Sequence, residues 1–170
     1  SSAGQAELPF RTLGHYEIVG RLGHGGMGDV YLGYEPKLRR TVAIKVLPAE
    51  LARHEDFIRR FYQEASAAAK LVHPNVVQIY FIGEQSGHHF FAMQYVAGET
   101  LDQLLARRKS LSVAETVAIL EQALAGLAAA HRRGLVHRDI KPGNILIDSE
   151  NRRALLADFG LVKSLAESGK

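Results

Sequence analysis

Tyr16-Glu17-Ile18-Val19-Gly20-Arg21-Leu22-Gly23-His24-Gly25-Gly26-Met27-Gly28-Asp29-Val30-Tyr31-Leu32-Gly33-Tyr34 decides the architecture. Strand-forming residues lie on both sides of a glycine cluster, the pattern of a hairpin. The cluster reads Gly-x-Gly-x-x-Gly-x-Val from Gly23 to Val30. Without a Cβ at those glycines, backbone N–H groups can approach phosphate oxygens closely. A dinucleotide-binding turn passes from a strand into a helix. Here it passes from strand to strand, which fits either a flap over a nucleotide or an ordinary glycine-rich hairpin.

After a turn at 35–40 comes a strand over 41–47 containing Val42-Ala43-Ile44-Lys45. An ammonium in the middle of an apolar strand is expensive to bury unpaired. Lys45 therefore either snorkels outward at the strand edge or meets phosphates and an inward carboxylate. A helix is expected over 55–71, with Phe57, Phe61, Ala65 and Ala68 on its apolar face. Glu64 sits beside that face and is the carboxylate by position, although an isolated helical glutamate also fits a plain surface. His73-Pro74 ends the helix, because proline disfavours helical geometry in the residue before it. Two more strands are expected at 76–82 and 90–96, with a linker between them.

The second half changes character. A short helix over 101–107 precedes Ser112-Val113-Ala114-Glu115, a capping box that opens a long helix to about residue 133, stopped by Gly134. Val113, Val117, Leu120, Leu124 and Leu127 form one stripe on it. Then His137-Arg138-Asp139-Ile140-Lys141-Pro142-Gly143-Asn144 and Asp158-Phe159-Gly160 lie beside short apolar runs. Asp139 can accept a hydrogen bond from an attacking hydroxyl. Asn144 and Asp158 offer the oxygens that magnesium takes alongside substrate phosphates.

In this order and spacing, the motifs resemble the eukaryotic-type protein kinase family, most closely its bacterial serine/threonine members, from about Tyr16 to the end of the chain. The implied fold is α+β and protein-kinase-like: a five-stranded antiparallel N-lobe with one main helix, then the start of a helical C-lobe. The expected divisions are a flexible segment at 1–14, the N-lobe at 15–96 and a partial C-lobe at 97–170. The resemblance implies that Leu22, Gly23, His24, Gly25, Gly26, Met27, Gly28, Asp29 and Val30 cover ATP, and that Lys45 holds its phosphates while pairing with Glu64. Val30, Ala43 and Leu146 would sandwich the adenine. Met93 would be the gatekeeper, with Gln94 and Val96 offering backbone groups to the adenine edge; Asp102 suits either the ribose or solvent. Asp139 and Lys141 would be catalytic, and Asn144 and Asp158 would hold Mg2+. Ala68, Ile79, His137 and Phe159 would stack as a spine between the lobes. The implied reaction is γ-phosphoryl transfer from ATP to protein Ser/Thr hydroxyls.

Composition bounds the alternatives. Of 170 residues 46% are hydrophobic and 23% charged, which excludes a disordered chain. The net charge of +3 comes without a concentrated basic patch, so no nucleic-acid partner is expected. The absence of cysteine excludes disulfides and thiolate chemistry and fits a reducing, cytoplasmic setting. No membrane span is expected within the chain, although relatives suggest a parent anchored through another segment. The family's Ala-Pro-Glu motif and later helices do not follow Gly160 in these 170 residues. The expectation is an inactive or weakly active fragment, self-associating through the uncovered stripe. The alternatives are an ATP/Mg-binding module without transfer, and an interaction fragment.

Overall fold

The structure, a computed structural model, describes residues 8–24 and 28–159. Its strands are β1 (Thr12–Leu13), β2 (Tyr16–Gly23), β3 (Asp29–Glu35), β4 (Arg40–Val46), β5 (Ile79–Gln85), β6 (His88–Gln94), β7 (Gly98–Thr100), β8 (Ile145–Asp148) and β9 (Ala154–Leu156). Its α-helices are α1 (Glu55–Ala69), α2 (Leu101–Arg108) and α3 (Val113–His131).

β1 to β6 form one antiparallel sheet in the order β1-β2-β3-β4-β6-β5. It has six strands rather than the expected five, because Thr12–Leu13 adds an edge strand to β2. The segment expected to be a flexible lead-in is therefore packed in its described part. Leu13 is fully buried, and Leu8 and Phe10 lie against the same cluster as Tyr16, Tyr31, Val42 and Ile44. This cluster covers one face of the sheet. The register puts Val30 opposite Lys45 and Ala43 opposite Met93 on the other face. That second face takes α1, whose Phe61, Ala65 and Ala68 pack with Leu47, Ile79 and Phe91.

Two sheet boundaries differ from expectation. Val76 and Val77 leave the first sheet because β9 claims them: Val77 N donates to Leu156 O at 2.9 Å, and Leu156 N to Asn75 O at 2.8 Å. The linker expected between β5 and β6 shrinks to Ser86-Gly87, both at positive φ (52° and 79°). That pairing fits a two-residue hairpin turn whose twist suits the flanking strands.

The second unit packs α2 and α3 on the three-stranded sheet β7-β8-β9. Ser112 and Glu115 form the expected capping box at the start of α3. α3 buries Ile119, Ala123, Gly126, Ala129 and Ala130. Its small residues allow close approach: a Cβ at Gly126 would lie 2.7 Å from the Asn75 carbonyl oxygen. Val113, Val117, Leu120 and Leu124 are exposed, while Leu127 is half-buried against the core. By length and composition α3 is also apolar enough to cross a membrane, a property that the sequence reading overlooked. Against that use, its small-residue face is packed within the fold.

Candidate active site

A cleft of about 320 Å3 opens where the two units meet. Leu22, Gly23 and Val30 form its roof, Ala43 and Met93 its back, and Leu146 its floor. Gln94 and Val96 also line it, in the chain passage from one unit to the other. Val30, Ala43 and Leu146, expected to sandwich the adenine, thus line one cavity. Sequence reasoning missed Val77, Ala157, Glu99, Thr100 and Gln103, which line it too. The first two are small apolar residues without chemistry of their own. Thr100 and Gln103 carried a readable signal, the capping box of α2. Asp102 does not itself line the cleft, but its carboxylate lies beside Gly143, which does. Gly25, Gly26, Met27 and Gly160 fall outside the described residues.

Lys45 is buried at 7% exposure in the middle of β4. Its Nζ donates to Asp158 Oδ1 at 2.9 Å. The expected pair with Glu64 is replaced: Glu64 Oε1 lies 3.6 Å from Arg138 Nη1, and among the described residues no ion pair joins Glu64 to Lys45. The cause is competition for one ammonium. Asp158 sits at φ 53° just after β9, which brings its carboxylate to Lys45, and Arg138 provides Glu64 with another cation. Both Arg138 (φ 64°) and Asp158 hold left-handed backbone, a strained geometry that persists where the surroundings over-determine it.

The loop between α3 and β8 is organised around His137 and Asn144, both buried. His137 Nε2 lies 2.7 Å from the Ala157 carbonyl oxygen, while its Nδ1 accepts from Asp139 N at 3.2 Å. Only a neutral ring protonated at Nε2 can do both. Burial lowers the His137 pKa accordingly, opposed by the hydrogen bond to Ala157 and by the charges of Asp158 and Asp139. Asn144 Nδ2 donates to the Asp139 backbone oxygen at 2.8 Å and to its Oδ2 at 3.1 Å. Lys141 Nζ stands 3.6 Å from the same Oδ2. Asp139, Lys141 and Asn144 therefore form one cluster. It is tied to Asp158 through Ala157, whose N–H donates to the Asn144 carbonyl oxygen at 2.9 Å.

This donor set fits a hard divalent cation. Asn144 spends its amide N–H groups on Asp139, which leaves its amide oxygen as the group to offer a cation, and Asp158 supplies a carboxylate. The spine residues also meet in part. His137 and Phe159 have ring centroids 4.7 Å apart, and a cavity of about 20 Å3 lies among Ala68, Ile79, Phe91, Met93 and Phe159. The small Ala68 side chain leaves that space.

Comparisons with known proteins agree with this fold. Residues 16–170 match the family model described as protein kinase domain. PrkC of Bacillus subtilis, a serine/threonine-protein kinase, is 42% identical over 158 residues, covering 93% of this chain and 24% of that protein. The probable serine/threonine-protein kinase pknA2 of Bifidobacterium longum is 43% identical, covering 91% of this chain and 21% of that protein. The crystal structure of the Mycobacterium tuberculosis PknI kinase domain superposes with a TM-score of 0.80 at 40% identity, covering 88% of this chain and 61% of that one. The chain thus spans about a quarter or less of the length of these two curated relatives.

Proposed function

We propose, from the premise that this chain belongs to the protein kinase domain family, that its cleft binds ATP with Mg2+ for phosphoryl transfer to Ser or Thr hydroxyls of proteins. One observation carries the reading. Lys45, Asp158, Asn144, Asp139 and Lys141, spread over more than a hundred residues of sequence, converge beside one apolar cleft.

In this assignment Asp139 takes the hydroxyl proton as the new O–P bond forms and the bond to the β-phosphate oxygen breaks. Lys141 offsets charge on the moving phosphoryl group, and Lys45 binds the phosphates. The cation, held by Asn144 and Asp158, would neutralise the phosphate oxygens. A loose transition state asks for positioning and charge rather than covalent chemistry. On this reading the domain works in the cytoplasm, the compartment that supplies ATP and magnesium.

For the 170-residue chain itself we infer nucleotide binding with little or no transfer. In its support, Lys45 is engaged by Asp158, and Glu64 by Arg138, rather than with each other. Thermal unfolding with ATP, with and without Mg2+, tests binding; no shift at millimolar ATP refutes it. Radiolabel transfer compared with Asp139→Asn tests chemistry, since equal label in both points to another site or a contaminant.

Self-association is a second inference, supported by the exposure of Val113 (82%), Val117 (47%), Leu120 (50%) and Leu124 (61%) along one side of α3. Light scattering checks it: a monomer at high concentration refutes it, and an assembly dispersed by Leu120→Glu with Leu124→Glu supports it.

A further inference from the structure

The chain returns from the second unit after Val77 and leaves for it again after Gln94. Val77 is still bonded to β9, whereas β5 begins at Ile79; β6 ends at Gln94, and β7 begins at Gly98. Both crossings border the cleft, Val77 on the first and Gln94, Tyr95 and Val96 on the second. Gln78 and Gln94 join them. Gln94 N donates to Gln78 O at 2.8 Å, and Gln78 N donates to Gln94 Oε1 at 3.4 Å. The β5–β6 ladder is irregular beside this pair, its register slipping between Ile79 and Phe81.

The Gln78 side chain reaches further. Its Nε2 donates to Ala69 O and to Ile79 O, each at 3.0 Å. Ala69 is the last residue of α1, so its carbonyl has no partner within the helix. That end of α1 is itself held by the second unit. Arg133 Nη1 donates to Lys70 O at 2.7 Å, and Leu71 is buried among Val76, Ala129 and Ala130. Gln78 thus spends both amide N–H groups and both backbone groups, and links a fixed helix end to the edge of the cleft.

We propose that Gln78 is a positioning residue for base recognition: anchored to the end of α1, it fixes where Gln94 presents its backbone to the adenine edge. This role rests on the nucleotide-binding reading above. The Gln94 N–H is spent on Gln78, so its carbonyl oxygen is the backbone group that can accept from the 6-amino group of adenine. An acceptor already held in position loses less freedom when the ligand binds. An apolar side chain of similar size at Gln78 leaves its backbone bond to Gln94 but frees both residues from α1. The base, which meets Gln94, then feels the change; the triphosphate, which meets Lys45, does not.

The test measures by calorimetry the affinity of the 170-residue chain for ATP and for purine riboside 5′-triphosphate, which differs from ATP only in lacking the 6-amino group. The unaltered chain is expected to prefer ATP about fivefold, equivalent to about 1 kcal/mol, the scale of one net hydrogen bond. In Gln78→Leu the preference is expected to fall below about twofold, with ATP weakened about fourfold and the analogue less than about 1.5-fold. A general loosening of the fold would weaken both ligands alike and keep the gap, so the shrinking of the gap carries the assignment. A gap unchanged in Gln78→Leu overturns the role of Gln78 while leaving the nucleotide site intact. Should Gln78→Leu not fold, Gln78→Met decides on the same criteria. Equal binding of both triphosphates by the unaltered chain overturns the contact of Gln94 with the base and, with it, the role of Gln78. Failure to bind either one overturns the nucleotide reading itself.

Discussion

Lys45 and Asp158, 113 residues apart in sequence, meet at 2.9 Å across the cleft. One stands on the central strand of the first sheet and the other just beyond the last strand of the second unit, so the contact fastens the two units together. On the proposed reading it also joins the group that binds the phosphates to one that holds their cation.

Removing both partners should therefore cost less than the sum of removing each alone. The side chain of Lys45 is 9% exposed and that of Asp158 34%, so the pair lies between a buried bridge and a surface one. Asp158→Asn leaves a nearly buried ammonium without its carboxylate, with an expected loss of about 1–3 kcal/mol. Lys45→Met combined with Asp158→Asn should be less destabilising than the sum of the single changes. Chemical denaturation of the four proteins measures this, and simple additivity would show that the pair contributes no coupling.

The neutral ring of His137 makes stability depend on pH. Burial lowers its pKa in the folded chain below the ordinary 6.5. The unfolded chain thus binds more protons in this range, and stability rises with pH. The contribution is complete above the ordinary histidine value and is lost as pH falls through the folded pKa. Denaturation midpoints followed from pH 8 to 5 should decline below about pH 6.5, with a shallower decline in His137→Phe. An identical decline in both proteins would assign the effect to other groups.

Much of the site was legible because its chemistry is local. The glycine turn sits between strands with alternating residues, and His137 to Asn144 packs polar groups beside apolar runs. What escaped reading depends on distant partners. Thr12–Leu13 is too short to show a period and becomes a strand only by docking on β2. Val76 and Val77 have strand-like side chains, yet their hydrogen bonds go to β9. Ser86-Gly87 carried a turn signal that was diluted by reading its neighbours as linker. On α3 the large aliphatics drew attention, while the buried face is made of Ile119, Ala123, Gly126 and Ala130. The choice of Lys45 between Glu64 and Asp158 is a matter of conformation, which residue types alone do not determine.

Gly98 lines the cleft where β7 crosses β8. A Cβ there would lie 1.9 Å from the Ile147 carbonyl oxygen and 2.9 Å from its carbon, and backbone atoms cannot rotate out of the way. Gly98→Ala must push the strands apart, at an expected cost of about 1–3 kcal/mol. Because Thr100 and Gln103 follow directly and also line the cleft, nucleotide affinity should fall along with the thermal midpoint. Retention of both would mean that β7 shifts without resistance.

Ala68 offers the opposite opportunity. It borders the small cavity among Ile79, Phe91, Met93 and Phe159, and on its other side a groove of about 190 Å3 shared with Glu64, Leu135 and Phe159. Leucine is nearly as good a helix former as alanine, so α1 itself loses little. Each methylene it buries contributes about 0.8 kcal/mol, less the strain of fitting it beside Phe159. Ala68→Leu is expected to raise stability by about 1 kcal/mol, or a few degrees in the midpoint for a chain of this size. Ala68→Gly should lower it, by adding helix cost and enlarging the void. Calorimetric melting of the three proteins separates the cases: a lower midpoint for Ala68→Leu than for the unaltered chain would show that the space beside Phe159 is already closed to further side-chain atoms.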